Sequence, residues 1–181
     1  MKFMTKRSVL FITAALCTFF ILSCSKTSKN TFTQISSSSK TKEVLIEYAG
    51  IPSADERGAR AKPFTMHNPD IDLTKMSATM IYSEVFNMMI SPEEYEGKLI
   101  RIKGNFRVML AKGTDYHYFS VVVPDATACC EQGIEVVWCG KKSYPSDYPE
   151  INEEITVTGK FVSEETEEGI SYNYLLLCDP Q

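Results

Sequence analysis

Two sets of cysteines in this chain stand where chemistry could use them. The first is Cys24, which follows Ile21-Leu22-Ser23 at the end of an apolar run. The second is the adjacent pair Cys129 and Cys130, with Cys139 and Cys178 farther along. Adjacent thiolates can both face one ion only where the backbone turns, and soft sulfur donors favour zinc or copper(I) over magnesium or calcium. Asp125 lies just before the pair, so the candidate metal ligands are Cys129, Cys130 and Asp125, with Glu135, His117, Met76 and Met80 as further donors. Against this, the spacing is not C-x-x-C, and no second pair completes a four-ligand set. His117 also falls in a strand pattern beside Tyr116 and Tyr118, where a solvated strand face accounts for it, and methionines at helical spacing are more often core. In an oxidising compartment the plainest reading of Cys129, Cys130, Cys139 and Cys178 is as disulfide partners. Four cysteines allow three complete pairings, one of which joins Cys129 to Cys130. A reactive thiol pair is the third reading.

Enzymatic motifs are missing from the sequence. There is no G-x-S-x-G, no H-E-x-x-H and no glycine-rich phosphate loop. Nothing orients His117 as a base for either vicinal thiol. The chain is therefore expected to be non-catalytic.

The start of the chain says where these residues work. Lys2, Lys6 and Arg7 give a positive beginning without an acid, and residues 8–22 are apolar except for Ser8, Thr13, Cys17 and Thr18. That is a signal-peptide core, too short for a comfortable membrane span. Its end, Ile21-Leu22-Ser23-Cys24, resembles the lipobox of bacterial lipoproteins, which implies cleavage after Ser23 and a lipid on Cys24. Residues 1–23 are thus expected to be the leader and 24–42 a flexible tether, since Ser, Thr, Lys and Asn dominate there and bury too little apolar surface to offset chain entropy. The folded part is expected in the cell envelope, outside the cytoplasm and anchored to a membrane. Removing three cations takes the net charge from −4 to about −7. An acidic exported chain is a poor nucleic-acid binder.

Positioning elements come next. Residues 43–72 are expected to be partly ordered, with a candidate short strand at 44–46 and a charged stretch at 54–62 that has no clear period. Residues 73–181 are expected to form one domain. Met76, Met80, Ile81, Val85, Met88 and Met89 predict a helix over 76–90, capped by Asp72 or Thr74, and Ser91-Pro92-Glu93-Glu94 has the form of a capping box. From residue 98 the period changes to two, which predicts strands over 98–108, 116–123, 133–139, 154–163 and 172–178. The acidic run at 164–168 reads as a solvated hairpin tip. Ile100-x-Ile102-x-Gly104-x-Phe106 and Ile155-x-Val157-x-Gly159-x-Phe161 each carry a mid-strand glycine, where a bulge or sharp coil is the usual reason. The expected fold is mainly β with an N-terminal helix, a small five-stranded barrel that resembles an OB-fold. It departs from that pattern because residues 140–152 are too rich in Pro and Tyr for the usual helix between the third and fourth strands.

Several strings carry a further resemblance: Met76-Ser77-Ala78-Thr79-Met80-Ile81-Tyr82, Asn87-Met88-Met89, Asp125-Ala126-Thr127-Ala128-Cys129-Cys130, Gly133-Ile134-Glu135 and Tyr144-Pro145-Ser146-Asp147-Tyr148-Pro149. From residue 72 onward the chain resembles a family of small, uncharacterised bacterial lipoproteins with an OB-like domain. A more distant likeness to the paired-cysteine segment of a permease's non-membrane partner implies an accessory of an envelope transporter. Three functions follow as expectations: a tethered binding module for a soft metal ion or small ligand, a structural or protein-binding lipoprotein, and a thiol-disulfide protein.

Overall fold

Alternating apolar residues give each strand one row for the interior and one for the outside, and the end of each strand is set by a turn. The computed structural model describes residues 43–124 and 130–178. Within them the order is β1 (Val44–Ile46), α1 (Ala54–Arg60), β2 (Ile71–Asp72), α2 (Ala78–Ile90), β3 (Leu99–Ala111), β4 (His117–Pro124), β5 (Glu131–Trp138), β6 (Glu154–Glu165) and β7 (Ser171–Leu177). The structure is mostly β with two helices.

Five of the strands close on themselves. β3 pairs antiparallel with β4 and with β6, β4 with β5, and β6 with β7, while β5 and β7 run parallel. The result is a ring in the order β3-β4-β5-β7-β6 and back to β3. β1 and β2 add in parallel to β3, Val44 opposite Met109 and Ile71 opposite Ile100. Ile102, Phe106, Phe119, Ile134, Phe161 and Leu175 are fully buried, together with Val85 and Met88 of α2.

The two glycine strands are partners. Ile100 lies opposite Gly159, Ile102 opposite Val157 and Gly104 opposite Ile155, so each motif faces the other run backwards. The glycines are needed for space rather than for an unusual backbone. A Cβ on Gly104 would stand 2.5 Å from the Val122 carbonyl oxygen, and one on Gly159 2.6 Å from Leu177 Cδ2 and 3.0 Å from the Leu176 oxygen. Neither glycine has a positive φ.

Three local expectations need correction. The helix begins at Ala78, with the Ser77 hydroxyl accepting from the Met80 N–H at 3.4 Å; Asp72 caps the preceding 3-10 turn, Leu73–Lys75. Ser91 makes no side-chain cap, because Pro92–Glu94 closes as a 3-10 turn. Residues 54–60, in the charged stretch that showed no clear period, form α1 behind a complete capping box: Glu56 accepts from the Ser53 N–H at 2.9 Å and donates its own N–H to Ser53 Oγ at 3.3 Å.

Candidate functional site

Across β4, β5 and β7 successive rows alternate between the interior and the outside. Phe119, Val136 and Leu175 form an inner row, and the next row, Ser120, Glu135 and Tyr174, faces out. An outer row would ordinarily be wet, yet Tyr118, Ser120, Tyr172 and Tyr174 are all buried. The cover is α1 and the residues leading into it. Gly58 permits the contact, since a Cβ there would collide with the Trp138 carbonyl oxygen, and the Gly140 N–H donates to the Gly58 oxygen at 2.9 Å.

Arg57 is the side chain this arm inserts, and it is 1% exposed. Its Nη1 donates to Glu135 Oε2 at 3.0 Å, its Nη2 bonds the other Glu135 oxygen, and its Nε reaches the Ser53 carbonyl at 3.4 Å. Three rings surround the guanidinium, with centroids at 4.8 Å (Tyr174), 5.4 Å (Tyr172) and 5.8 Å (Tyr118). A delocalised cation against ring faces, forked onto a carboxylate, combines cation–π attraction with a bidentate charge-assisted bond. Burial pushes the Glu135 carboxyl above the usual carboxylate range, and the Arg57 charge and its bonds pull the other way. Burial also raises the Tyr118 and Tyr174 hydroxyls. The rim is tied down as well: Tyr118 donates to the Ile51 oxygen at 2.6 Å, Tyr172 to Glu164 at 2.7 Å and Tyr148 to Asp55 at 3.0 Å.

The residues named from sequence fare differently. Glu135 is committed to Arg57 rather than open to a metal. His117 is not on a solvated face: its ring packs at a tilt against Tyr144 with centroids 4.5 Å apart, and its Nε2 lies 3.7 Å from Glu43. Tyr148 stacks on Phe119 at 4.1 Å and meets Trp138 edge-on, so the Pro- and Tyr-rich segment packs its rings on the ring of strands. Cys139 and Cys178 are joined in a disulfide, with Cα atoms 4.9 Å apart. The reason is register: Trp138 and Leu177 are partners in the parallel pair, so the residues after them are neighbours. Met80 is exposed on α2, and Met76 packs against the core. Glu164 in the acidic run is engaged by Arg60 and Tyr172 rather than free at a tip. Cys130 is exposed. Cys24, Asp125 and Cys129 lie outside the described residues. Among the described residues, no group of three or more His, Cys, Asp or Glu side chains is placed to hold a metal ion.

No protein-family model and no curated protein matches this chain. The geometry of its own residues is what bears on function. Two open grooves border α1. One, of about 610 Å³, is lined by Tyr48, Pro52, Glu56, Arg60 and Tyr116; the other, of about 540 Å³, by Pro52, Arg60, Glu164, Glu165 and Tyr172. They mix aromatic faces with carboxylates, and Arg60 lines both. Sequence reasoning missed Arg57 because its partner is 78 residues away, and the only local signal was the Ser53-x-x-Glu56 capping box.

Proposed function

We propose that this chain is a bacterial envelope lipoprotein, held on a membrane by a lipid on Cys24, whose folded part is a non-catalytic module that binds another envelope protein. The observation that carries the anchor is the order of signals at the start: Lys2, Lys6 and Arg7, the apolar residues 8–22, then Ile21-Leu22-Ser23-Cys24. The ring is read as a small OB-like barrel. What supports this is the strand order, with β5 and β7 parallel and β3 closing onto β6. Phe106, Phe119 and Phe161 fill the interior, so binding belongs on the outside, where the two grooves flank α1.

Labelled palmitate separates the anchored chain from any other. The native chain is expected to take up label and enter the detergent phase, and Cys24→Ala to do neither. Equal label in both ends the lipoprotein reading. A photo-crosslinking residue at Tyr48 in living cells is expected to trap one discrete envelope protein. If it traps nothing beyond the adducts formed from Lys103, the protein-binding part fails.

A second reading keeps Cys129 and Cys130 as a soft-metal or thiol-disulfide pair, accessory to an envelope transporter. The observation that favours it is the Cys139–Cys178 bond, which removes both of those thiols from competition. Thiol counts with and without reductant, together with zinc and copper(I) titration, test it. No uptake by Cys129 and Cys130 in the reduced chain removes the metal.

A further inference from the structure

The outer face of β4, β5 and β7 has the chemistry of a receptor. Tyr118, Tyr172 and Tyr174 present rings, and Glu135 presents both carboxylate oxygens between them. A guanidinium satisfies these groups together, because it is flat, weakly hydrated and forked. An ammonium offers a point charge and cannot match the fork. The cation found there belongs to a short arm. α1 has seven residues, and besides Arg57 it buries only Ala54 and Gly58, which bring little side chain. Residues 47–53 and 61–70, on either side of it, have no helix or strand. The tyrosines and Glu135 are instead fixed by strand pairing, so the receptor is built on the rigid part and the occupant on the less regular part. The ion pair itself gives weak net stabilisation, since desolvation of two charges offsets much of their attraction. Of the two grooves beside α1, the one that shares Tyr172 with the cluster carries Glu164, Glu165 and Glu167 against the single cation Arg60, an acidic balance that attracts cations.

We propose that this face is a guanidinium-binding site, occupied in cis by Arg57, and that an arginine-bearing segment of a partner protein engages it by displacing α1. This deepens the protein-binding reading above and rests on it for the existence of a partner. Arg57 then acts as an internal ligand, and the arm closes the site until an arginine presented from outside competes for it.

Two measurements on the chain from residue 24 onward, carrying Cys24→Ala, test this. In the first, Arg57→Ala is melted with N-acetyl-arginine amide or N-acetyl-lysine amide. The arginine probe is expected to raise Tm and to bind about tenfold more tightly than the lysine probe. Adding Glu135→Gln should abolish the difference. In the second, which does not depend on how well that variant folds, backbone hydrogen exchange is followed in the chain with Arg57 intact. A short arginine peptide is expected to speed exchange over residues 54–60 and leave β4, β5 and β7 protected, whereas the matching lysine peptide does not. Arginine and lysine probes acting alike in the folded variant, or α1 exchange unchanged by the arginine peptide, overturns the proposal. A crosslink from Tyr48 obtained alongside that failure would leave the protein-binding reading standing and remove only the arginine site.

Discussion

Between β3 and β7 the chain buries Phe106, Phe119, Phe161, Ile102 and Leu175, whereas the arm at residues 51–60 buries an arginine. The ring holds together by backbone pairing between its strands and by the burial of many apolar side chains, so that no one side chain carries it. The arm holds by direction: one forked ion pair, rings around one cation and a few hydroxyl bonds to backbone and carboxylate. Loss of a single side chain is shared out in the first case and concentrated in the second. Substitutions should therefore have unequal effects in the two regions, and those effects can be ranked.

Arg57→Ala carries the largest expected cost. It leaves Glu135 buried without its counter-charge, a change of about 3–5 kcal/mol in thermal or denaturant unfolding. Replacing both partners, Arg57→Met with Glu135→Leu, should return to within about 1–2 kcal/mol of the native chain, because the desolvation penalty goes with the charges. If the double variant is no more stable than Arg57→Ala alone, charge burial is not what the arm depends on.

The disulfide is the ring's own concentrated contact, and it ranks next. Cys139→Ser with Cys178→Ser opens a loop of sequence separation 39, for which chain entropy gives a loss of about 4 kcal/mol. Mass spectrometry of the native chain under non-reducing conditions should find those two residues in one cross-linked peptide pair. A cross-link from Cys139 to Cys129 or Cys130 would contradict the parallel register of β5 and β7.

Smaller still are the glycine variants. Gly104→Val and Gly159→Val each force a side chain against backbone or packed leucine, with an expected loss of about 1–3 kcal/mol. Melting temperatures unchanged in both would mean that β3 and β6 do not approach their neighbours as closely as their registers require.

The same contrast explains what was legible in the sequence. The ring's strands announce themselves by period two, and the paired motifs around Gly104 and Gly159 pointed to a special need at those positions, although that need is close approach and not a bulge. α1 is too short for a helical period to emerge and carries Asp55, Glu56, Arg57 and Arg60, which look solvated. Only after β4, β5 and β7 are side by side does one of these charges find Tyr118, Glu135 and Tyr174. The Cys139–Cys178 choice among three pairings has the same origin, because nothing local says that β5 and β7 run parallel. Likewise His117 read as a solvated strand residue because Tyr144, whose ring packs against it, arrives from a segment whose path the sequence does not specify.

Alkaline titration makes the mildest test of the comparison. A tyrosine whose hydroxyl is buried titrates higher in the folded chain than near 10, its usual value. For Tyr95, burial and the bond to Glu84 push the hydroxyl up to about 12, and for Tyr144 burial and Glu43 do the same. Tyr118, Tyr148 and Tyr174 are raised too, chiefly by burial. The sign follows from linkage. A folded value above the unfolded one gives stability that is complete below pH 10 and is lost as the pH climbs through the folded value. For Tyr95 and Tyr144 that window runs from about 10 to about 12. Absorbance near 295 nm should therefore rise in two stages: exposed tyrosines first, then a cooperative step that coincides with loss of the near-ultraviolet circular dichroism. Tyr118 and Tyr174 face Arg57 and Tyr148 bonds Asp55, so hydrogen exchange over residues 54–60 should quicken before that over β3 and β6. A single smooth absorbance curve centred at 10, with the dichroism unchanged, would mean that these rings are open to water and that the arm does not cover them.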